Sequence, residues 1–278
     1  MQFSFTKWHG CGNDFVLVNG FKEHVDNYAD VSIKVCDRHF GIGADGLIML
    51  LPSDKADIGM RIFNADGSEA EMCGNGIRCL ARFARLLRIT DKDEFTVETG
   101  AGILKPRIAD DVGPDMVAVD MGMPVLDAHD IPVDGMGDGR VIDKSIIVCG
   151  KEYHITCVSM GNPHAVVFVD DVESFPLDEI GPRFETHHIF PRKTNTEFVE
   201  VVDRTHLRMR VWERGSGITL ACGTGACATL TAAVLNGYTE KKAEVRLDGG
   251  TLVIEWKSDG HIEMTGPAVR VYSGSIDL

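Results

Sequence analysis

Apolar positions along this chain fall into two kinds of run. Short stretches of alternating or β-branched character predict strands over 60–63, 94–98, 116–120, 153–158, 197–202, 207–211 and 252–256, with further apolar runs at 15–18 and 165–169. Gly and Asp clusters such as Ala65-Asp66-Gly67 and Leu247-Asp248-Gly249-Gly250 separate them as turns. Two stretches repeat with helical period instead. Over 75–87, Ile77, Leu80, Ala81, Ala84 and Leu87 share one face, and Arg78, Arg82 and Arg85 are expected on the other. The second, 225–235, is apolar nearly all round and is expected to be buried among strands. The pattern is α+β, with many short strands and one main helix in each half.

The two helices belong to an internal repeat. Met60-Arg61-Ile62-Phe63-Asn64 leads to Cys73-Gly74-Asn75-Gly76, and Met209-Arg210-Val211-Trp212-Glu213 leads to Cys222-Gly223-Thr224-Gly225. Both pairs are offset by 149 residues, from 60 to 209 and from 73 to 222. The same offset carries Gly12-Asn13 onto Gly161-Asn162, Gly46 onto Asn195, and Thr99-Gly100 onto Asp248-Gly249. Several stations in register imply duplication. The halves are expected to span 1–121 plus 267–278 and 122–266, each bringing one cysteine, Cys73 or Cys222, to a shared cleft.

Composition narrows the function. The chain has 278 residues, 44% of them apolar and 25% charged, as in globular proteins and unlike disordered or collagenous chains. Its formal charge of −14 leaves no basic face for phosphates, so no nucleic-acid partner is expected. The first ten residues carry no apolar core of a secretory signal. The uncharged stretch 215–239 holds only about 12 helix-like residues beyond its glycines, too few to span a bilayer. No membrane association is expected, and the eight cysteines are expected as free thiols in a reducing cytoplasm. Neither the Cys73/Cys79 nor the Cys222/Cys227 spacing suits a metal site, and none is expected. Cys36, Cys79, Cys149, Cys157 and Cys227 read as small core residues.

Cys73 and Cys222 each stand at the start of a main helix. Unpaired N–H groups and about half a positive charge at a helix N-terminus favour a thiolate, which is expected to lower both thiol pKa values. The glycine after each cysteine lets a ligand approach the backbone N–H groups. Two such ends suit the racemisation of an amino acid, which needs a base on one face of Cα and an acid on the other. No lysine is singled out for a Schiff base, and no cofactor is expected. His164 and the polar residues Asn13, Asn64, Asn162, Asn195, Glu213 and Arg214 fall at or beside repeat stations, which marks them as site candidates.

The strings HGCGNDF (9–15), GIGADG (41–46), FNADGSEAEMCGNG (63–76), SMGNPH (159–164), ERGSG (213–217) and ACGTGACA (221–228) resemble the diaminopimelate epimerase family. The resemblance implies two pseudo-symmetric halves, each a barrel-like, mostly antiparallel sheet wrapped around a central helix. It implies a cofactor-independent enzyme that interconverts LL- and meso-2,6-diaminopimelate on the route to lysine and peptidoglycan. By it, Cys73 and Cys222 are the acid and base. Gly74, Asn75, Gly223 and Thr224 offer N–H groups to the reacting carboxylate. Asn13, Asn64, Asn162, Asn195, Glu213 and Arg214 hold the substrate, and His164 and Glu213 tune the thiols. It also implies a homodimer with Tyr272 at its interface. Some family members carry a substrate-contacting Gln where Gly46 stands, so no side-chain contact is expected there. Two alternatives remain: a proline racemase or hydroxyproline epimerase of the same fold, or a thiol redox or binding protein.

Overall fold

The two halves of the chain share one run of elements, two strands, a helix, three strands and a second helix, described by a computed structural model that covers residues 1–278. The chain divides into one unit of Met1–Asp120 with Thr265–Leu278 and a second of Met121–Met264. The first opens with β1 (Gln2–Gly10), β2 (Asn13–Asn19), α1 (Tyr28–Cys36), β3 (Gly46–Leu51) and β4 (Ile58–Asn64). It continues with β5 (Glu69–Ala70), α2 (Gly74–Leu86), β6 (Val97–Thr99), β7 (Gly102–Leu104), β8 (Arg107–Ile108) and β9 (Met116–Asp120). The second contains β10 (Lys144–Val148), β11 (Lys151–Ser159), β12 (Pro163–Phe168), α3 (Leu177–Glu185), β13 (Asn195–Asp203) and β14 (His206–Glu213). After these come β15 (Gly217–Ile218), α4 (Gly223–Leu235), β16 (Lys242–Arg246), β17 (Thr251–Trp256) and β18 (Ile262–Pro267), whose last three residues already belong to the first unit. The last strand, β19 (Val269–Asp277), returns to the first unit and pairs antiparallel with β1 along nearly its whole length.

Pairing repeats with the sequence. In the first unit β2 runs parallel to β3 with Phe15 opposite Gly46, and in the second β12 runs parallel to β13 with His164 opposite Asn195. Leu47 faces Phe63 where Thr196 faces Trp212, again 149 residues on. Both main helices are 13 residues long and begin at the same offset, Gly74 and Gly223. Each lies against strands from across its own sheet: α2 against β1, β2, β3 and β4, and α4 against β11, β12, β13, β14, β16 and β17. A sheet can do this only by curling round the helix, so one main helix lies inside each unit's sheet, while α1 and α3 join further core clusters. Most pairs are antiparallel, with two parallel pairs in each unit, β2/β3 and β4/β6 or β12/β13 and β14/β16.

Several expectations change. The strand expected over 94–98 is confined to Val97–Thr99, and Glu94 makes only an isolated bridge to Arg107. Val97 faces Leu104 where Val245 faces Leu252, an offset of 148, so the pairing of Thr99-Gly100 with Asp248-Gly249 is one residue out of step. Two helices of nine residues, α1 and α3, were not legible; they too stand 149 residues apart, from 28 to 177. The β-branched Val31, Ile33 and Val35 alternate like a strand in α1, and α3 holds Gly181 and Pro182. Gly181 is required there, because a Cβ would come within 2.7 Å of the Trp212 ring.

Arg82 and Arg85 occupy the polar face of α2 and pair with Asp110, Asp115 and Asp93. Arg78 does not join them. It is fully buried, and its guanidinium donates to the carbonyl of Gly74, to Asn75 Oδ1 and to the carbonyl of Pro267. Acceptors in the first turn of its own helix and the distant Pro267 carbonyl overrode the helical wheel here. Cys149 also departs from expectation: it is exposed, at φ 52° in the tight turn between β10 and β11.

Candidate active site

Cys73 is the N-cap residue of α2 and Cys222 that of α4, both in extended backbone conformation. The turns before them end short strands, β5 and β15, that pair with β4 and β14. First-turn N–H groups beside such an N-cap have no helical carbonyl to bond; the Cys222 sulfur accepts from one of them, and Cys73 makes no side-chain cap bond.

Around Cys73 the polar groups come from strand ends. Asn13, at the start of β2, has its Oδ1 3.8 Å from Cys73 Sγ and accepts from Asn75 Nδ2 at 3.1 Å. Asn13 Nδ2 donates to Asp45 at 2.8 Å, and Arg38 ties Asp45 to Asp14, each contact 2.8 Å. Lys7 completes the group, 2.6 Å from Asp14. Gly74 and Asn75 are buried in the first turn. Asn64 ends β4, is exposed, and donates to Ser68 Oγ at 2.9 Å. Gly46 is the one residue type that fits its position, since a Cβ would lie 2.8 Å from the Phe63 carbonyl oxygen.

The Cys222 surroundings are more acidic and more buried. Cys222 is 5% exposed; its Sγ accepts from the Gly225 N–H at 3.3 Å and lies 3.5 Å from Thr224 Oγ1. Gly223 is buried in the first turn. Asn162 donates to Thr224 at 3.3 Å, and its Oδ1 is 3.0 Å from His164 Nε2. Glu213 ends β14 and accepts from the Thr219 hydroxyl. Asn195 is buried with both amide ends engaged, donating to the Pro163 carbonyl and accepting from the Arg214 N–H, each at 2.9 Å. Arg214 is exposed and donates to the Arg192 carbonyl at 3.0 Å.

The lowered thiol pKa expected at Cys222 is overturned. Burial pushes this thiol well above its ordinary value, and the carboxylates of Glu213 and Glu197 push it further. The Thr224 and Gly225 hydrogen bonds act the other way but do not prevail. Desolvation in a site with two nearby carboxylates outweighs a helix end that is worth about 1 kcal/mol. Glu213 is itself raised by burial and by Glu197, so Cys222 and Glu213 both hold their protons more tightly than usual.

Glu197 was missed as a site residue. It lies on β13 with its carboxylate fully buried, 2.7 Å from the fully buried His164 Nδ1. A signal was available: Glu197 is the acidic residue in the apolar part of a strand whose partner Val211 faces the core.

Two like-built units, each presenting a cysteine at the mouth of its buried helix, place the chain in one structural class. That class includes a PhzF-family phenazine biosynthesis protein from Bacillus anthracis, with a TM-score of 0.72 at 18% identity over the whole of both chains. It also includes a hydroxyproline epimerase from Agrobacterium vitis, with a TM-score of 0.66 at 15% identity over all of this chain and 93% of that one. At these identities the likeness is one of fold. Sequence decides the family: the diaminopimelate epimerase model matches residues 5–126 and 156–271, and the chain belongs to that family. It is 58% identical to the diaminopimelate epimerase of Agathobacter rectalis and 54% identical to that of Methanococcus maripaludis, each over 99% of both chains.

Proposed function

We propose that this chain is an isomerase that interconverts LL- and meso-2,6-diaminopimelate by a two-base mechanism without a cofactor. The observation that carries the reading is the repeated N-cap cysteine. Cys73 and Cys222 stand at equivalent points of the repeat, each beside first-turn N–H groups of a buried helix. One sulfur takes the Cα proton as the other delivers a proton to the opposite face, which inverts the centre and leaves no net change of protons. Burial and the nearby carboxylates favour the protonated form of Cys222, and the acid and base roles of the two sulfurs exchange between the forward and reverse reactions. The N–H groups of Gly74, Asn75, Gly223 and Thr224 hold the reacting carboxylate as charge builds on it. Asn13, Asn64, Asn162, Asn195, Glu213 and Arg214 bind the rest of the substrate, His164 and Glu213 adjusting the Cys222 side.

The reading extends to a homodimer in the cytoplasm that binds no nucleic acid. β19 ends the sheet order of its unit, so one long edge is unpaired, and Val271 and Tyr272 are exposed on it. Such an edge invites pairing with a second copy. Eight free thiols suit a reducing compartment, and no helix is long and apolar enough to cross a membrane.

Incubating the protein with LL-diaminopimelate in deuterium oxide, with nothing else added, tests the central point. Deuterium at Cα together with growth of the meso isomer is expected. Inertness toward diaminopimelate but exchange into proline would favour the racemase alternative.

A further inference from the structure

In the second unit a run of hydrogen bonds leads from a buried carboxylate to the cysteine. Glu197 Oε1 is 2.7 Å from His164 Nδ1, and His164 Nε2 is 3.0 Å from Asn162 Oδ1. Asn162 Nδ2 then donates to Thr224 Oγ1, which lies 3.5 Å from Cys222 Sγ. Both ring nitrogens of His164 face oxygens, and a ring that donated to both would carry a charge that the buried Glu197 carboxylate can balance.

The first unit solves the equivalent problem in the opposite sense. Asn13, the repeat partner of Asn162, turns its Oδ1 toward Cys73 and Asn75 because Asp45 engages its Nδ2. The two equivalent asparagines thus present opposite amide ends to their helices. The fold does not demand the His164–Glu197 pair. Moving back by the 149-residue repeat, the same positions are Phe15 and Ile48, both buried and apolar. Nor does the pair suit a purely structural role, since Glu197 Oε2 is buried with no hydrogen-bond partner. Gly225 stands open for this carboxylate, because a Cβ there would lie 2.7 Å from Glu197 Oε1.

We propose that Glu197 is a positioning residue: it keeps His164 donating from both ring nitrogens, and so fixes Asn162 with its amide N–H2 toward Thr224 and the α4 N-terminus. This rests on the epimerase reading above, in which Asn162 binds the substrate. The other groups that feel the pair are Glu213, Cys222 and the fully buried Cys157.

Glu197→Gln keeps the size but removes the charge. His164 then loses one N–H, its bare nitrogen becomes an acceptor, and the Asn162 amide reverses. Nitrogen-15 spectra of histidine-labelled protein, with His164 assigned from its loss in His164→Phe, should show two N–H ring nitrogens in the wild type and one in Glu197→Gln. Glu197→Asp should restore the second. In kinetics, Glu197→Gln should raise KM about tenfold, the cost of one mispaired buried polar contact, with a smaller fall in kcat. His164→Phe combined with Glu197→Ile copies the first unit; it should fold with undiminished thermal stability and show the same rise in KM. A bare nitrogen on His164 in the wild type, or an unchanged KM in the folded double variant, overturns the proposal. Failure of the wild type to exchange deuterium at Cα would instead count against the epimerase reading, and the ring-nitrogen spectra would still decide the role of Glu197.

Discussion

At the level of single residues, the two cysteines differ more than their shared motif suggests. Cys222 caps its helix through Sγ and the Gly225 N–H, whereas Cys73 makes no side-chain cap bond. Under the proposed two-base mechanism, Cys73→Ala and Cys222→Ala should each abolish epimerisation, since each removes the group assigned to one face of Cα. Cys222→Ala should cost about 0.5–1 kcal/mol more in urea unfolding, the value of a lost cap. Glu213 provides a test with a definite sign. Its folded pKa is raised, so the folded state favours the protonated form, and that advantage disappears as pH rises through the folded value. Glu213→Gln should therefore raise Tm relative to wild type at alkaline pH, and the gain should shrink on acidification and vanish only below the ordinary carboxylate range of the unfolded chain. A Tm difference that grows on acidification would contradict the assigned cause. Activity should fall throughout.

At the level of elements, α2 and α4 are the same helix adapted to different neighbours. Gly76 and Gly225 are equivalent, and both face strand residues that are equivalent in turn. A Cβ on Gly76 would meet the Ile48 methyl at 3.0 Å, a flexible neighbour, whereas one on Gly225 would meet Glu197 Oε1 at 2.7 Å and Cys222 Sγ at 3.1 Å. Gly→Ala inside a helix gains about 1 kcal/mol in propensity. Gly76→Ala should therefore be close to neutral. Gly225→Ala should lose about 1–3 kcal/mol by overpacking, along with most activity. Equal effects on unfolding would mean that the Glu197 carboxylate yields as easily as a methyl.

The elements also show what could be read locally. The amphipathic face of α2 and the apolar circumference of α4 follow from side-chain order alone, and the helices begin where the Cys-Gly motifs end. α1 and α3 were illegible because nine residues give too few turns for a period to emerge, and each carries residues that argue against a helix. What stabilises them is tertiary packing, with Val31, Val35, Leu177 and Phe184 in the cores of their units.

For the whole molecule, β19 has two tasks: it completes the first unit by pairing with β1, and its outer edge is the proposed dimer contact. Tyr272 packs edge-on against Phe5 at 5.9 Å and is 44% exposed. Tyr272→Glu should leave β19 in place and shift sedimentation from dimer to monomer. Deleting 269–278 should unfold the first unit, because β1 would lose its partner strand. If Tyr272→Glu sediments as a dimer, the contact lies on another surface.

The duplication, the two main helices, the positions of Cys73 and Cys222 at their starts, and the family are all legible in the order of residues. These properties are carried by residues close in sequence, through turn chemistry, helical period and a repeat that survives as spacing. Tertiary structure decided the rest. Only folding brings the Pro267 carbonyl to Arg78, shows strands pairing at an offset of 148 beyond the helices, and buries Glu197 against His164. Only folding reverses the expected sign at Cys222. A helix end acts within one turn of its own chain, but desolvation and the Glu197 carboxylate reach the sulfur through space, and in a buried site they prevail.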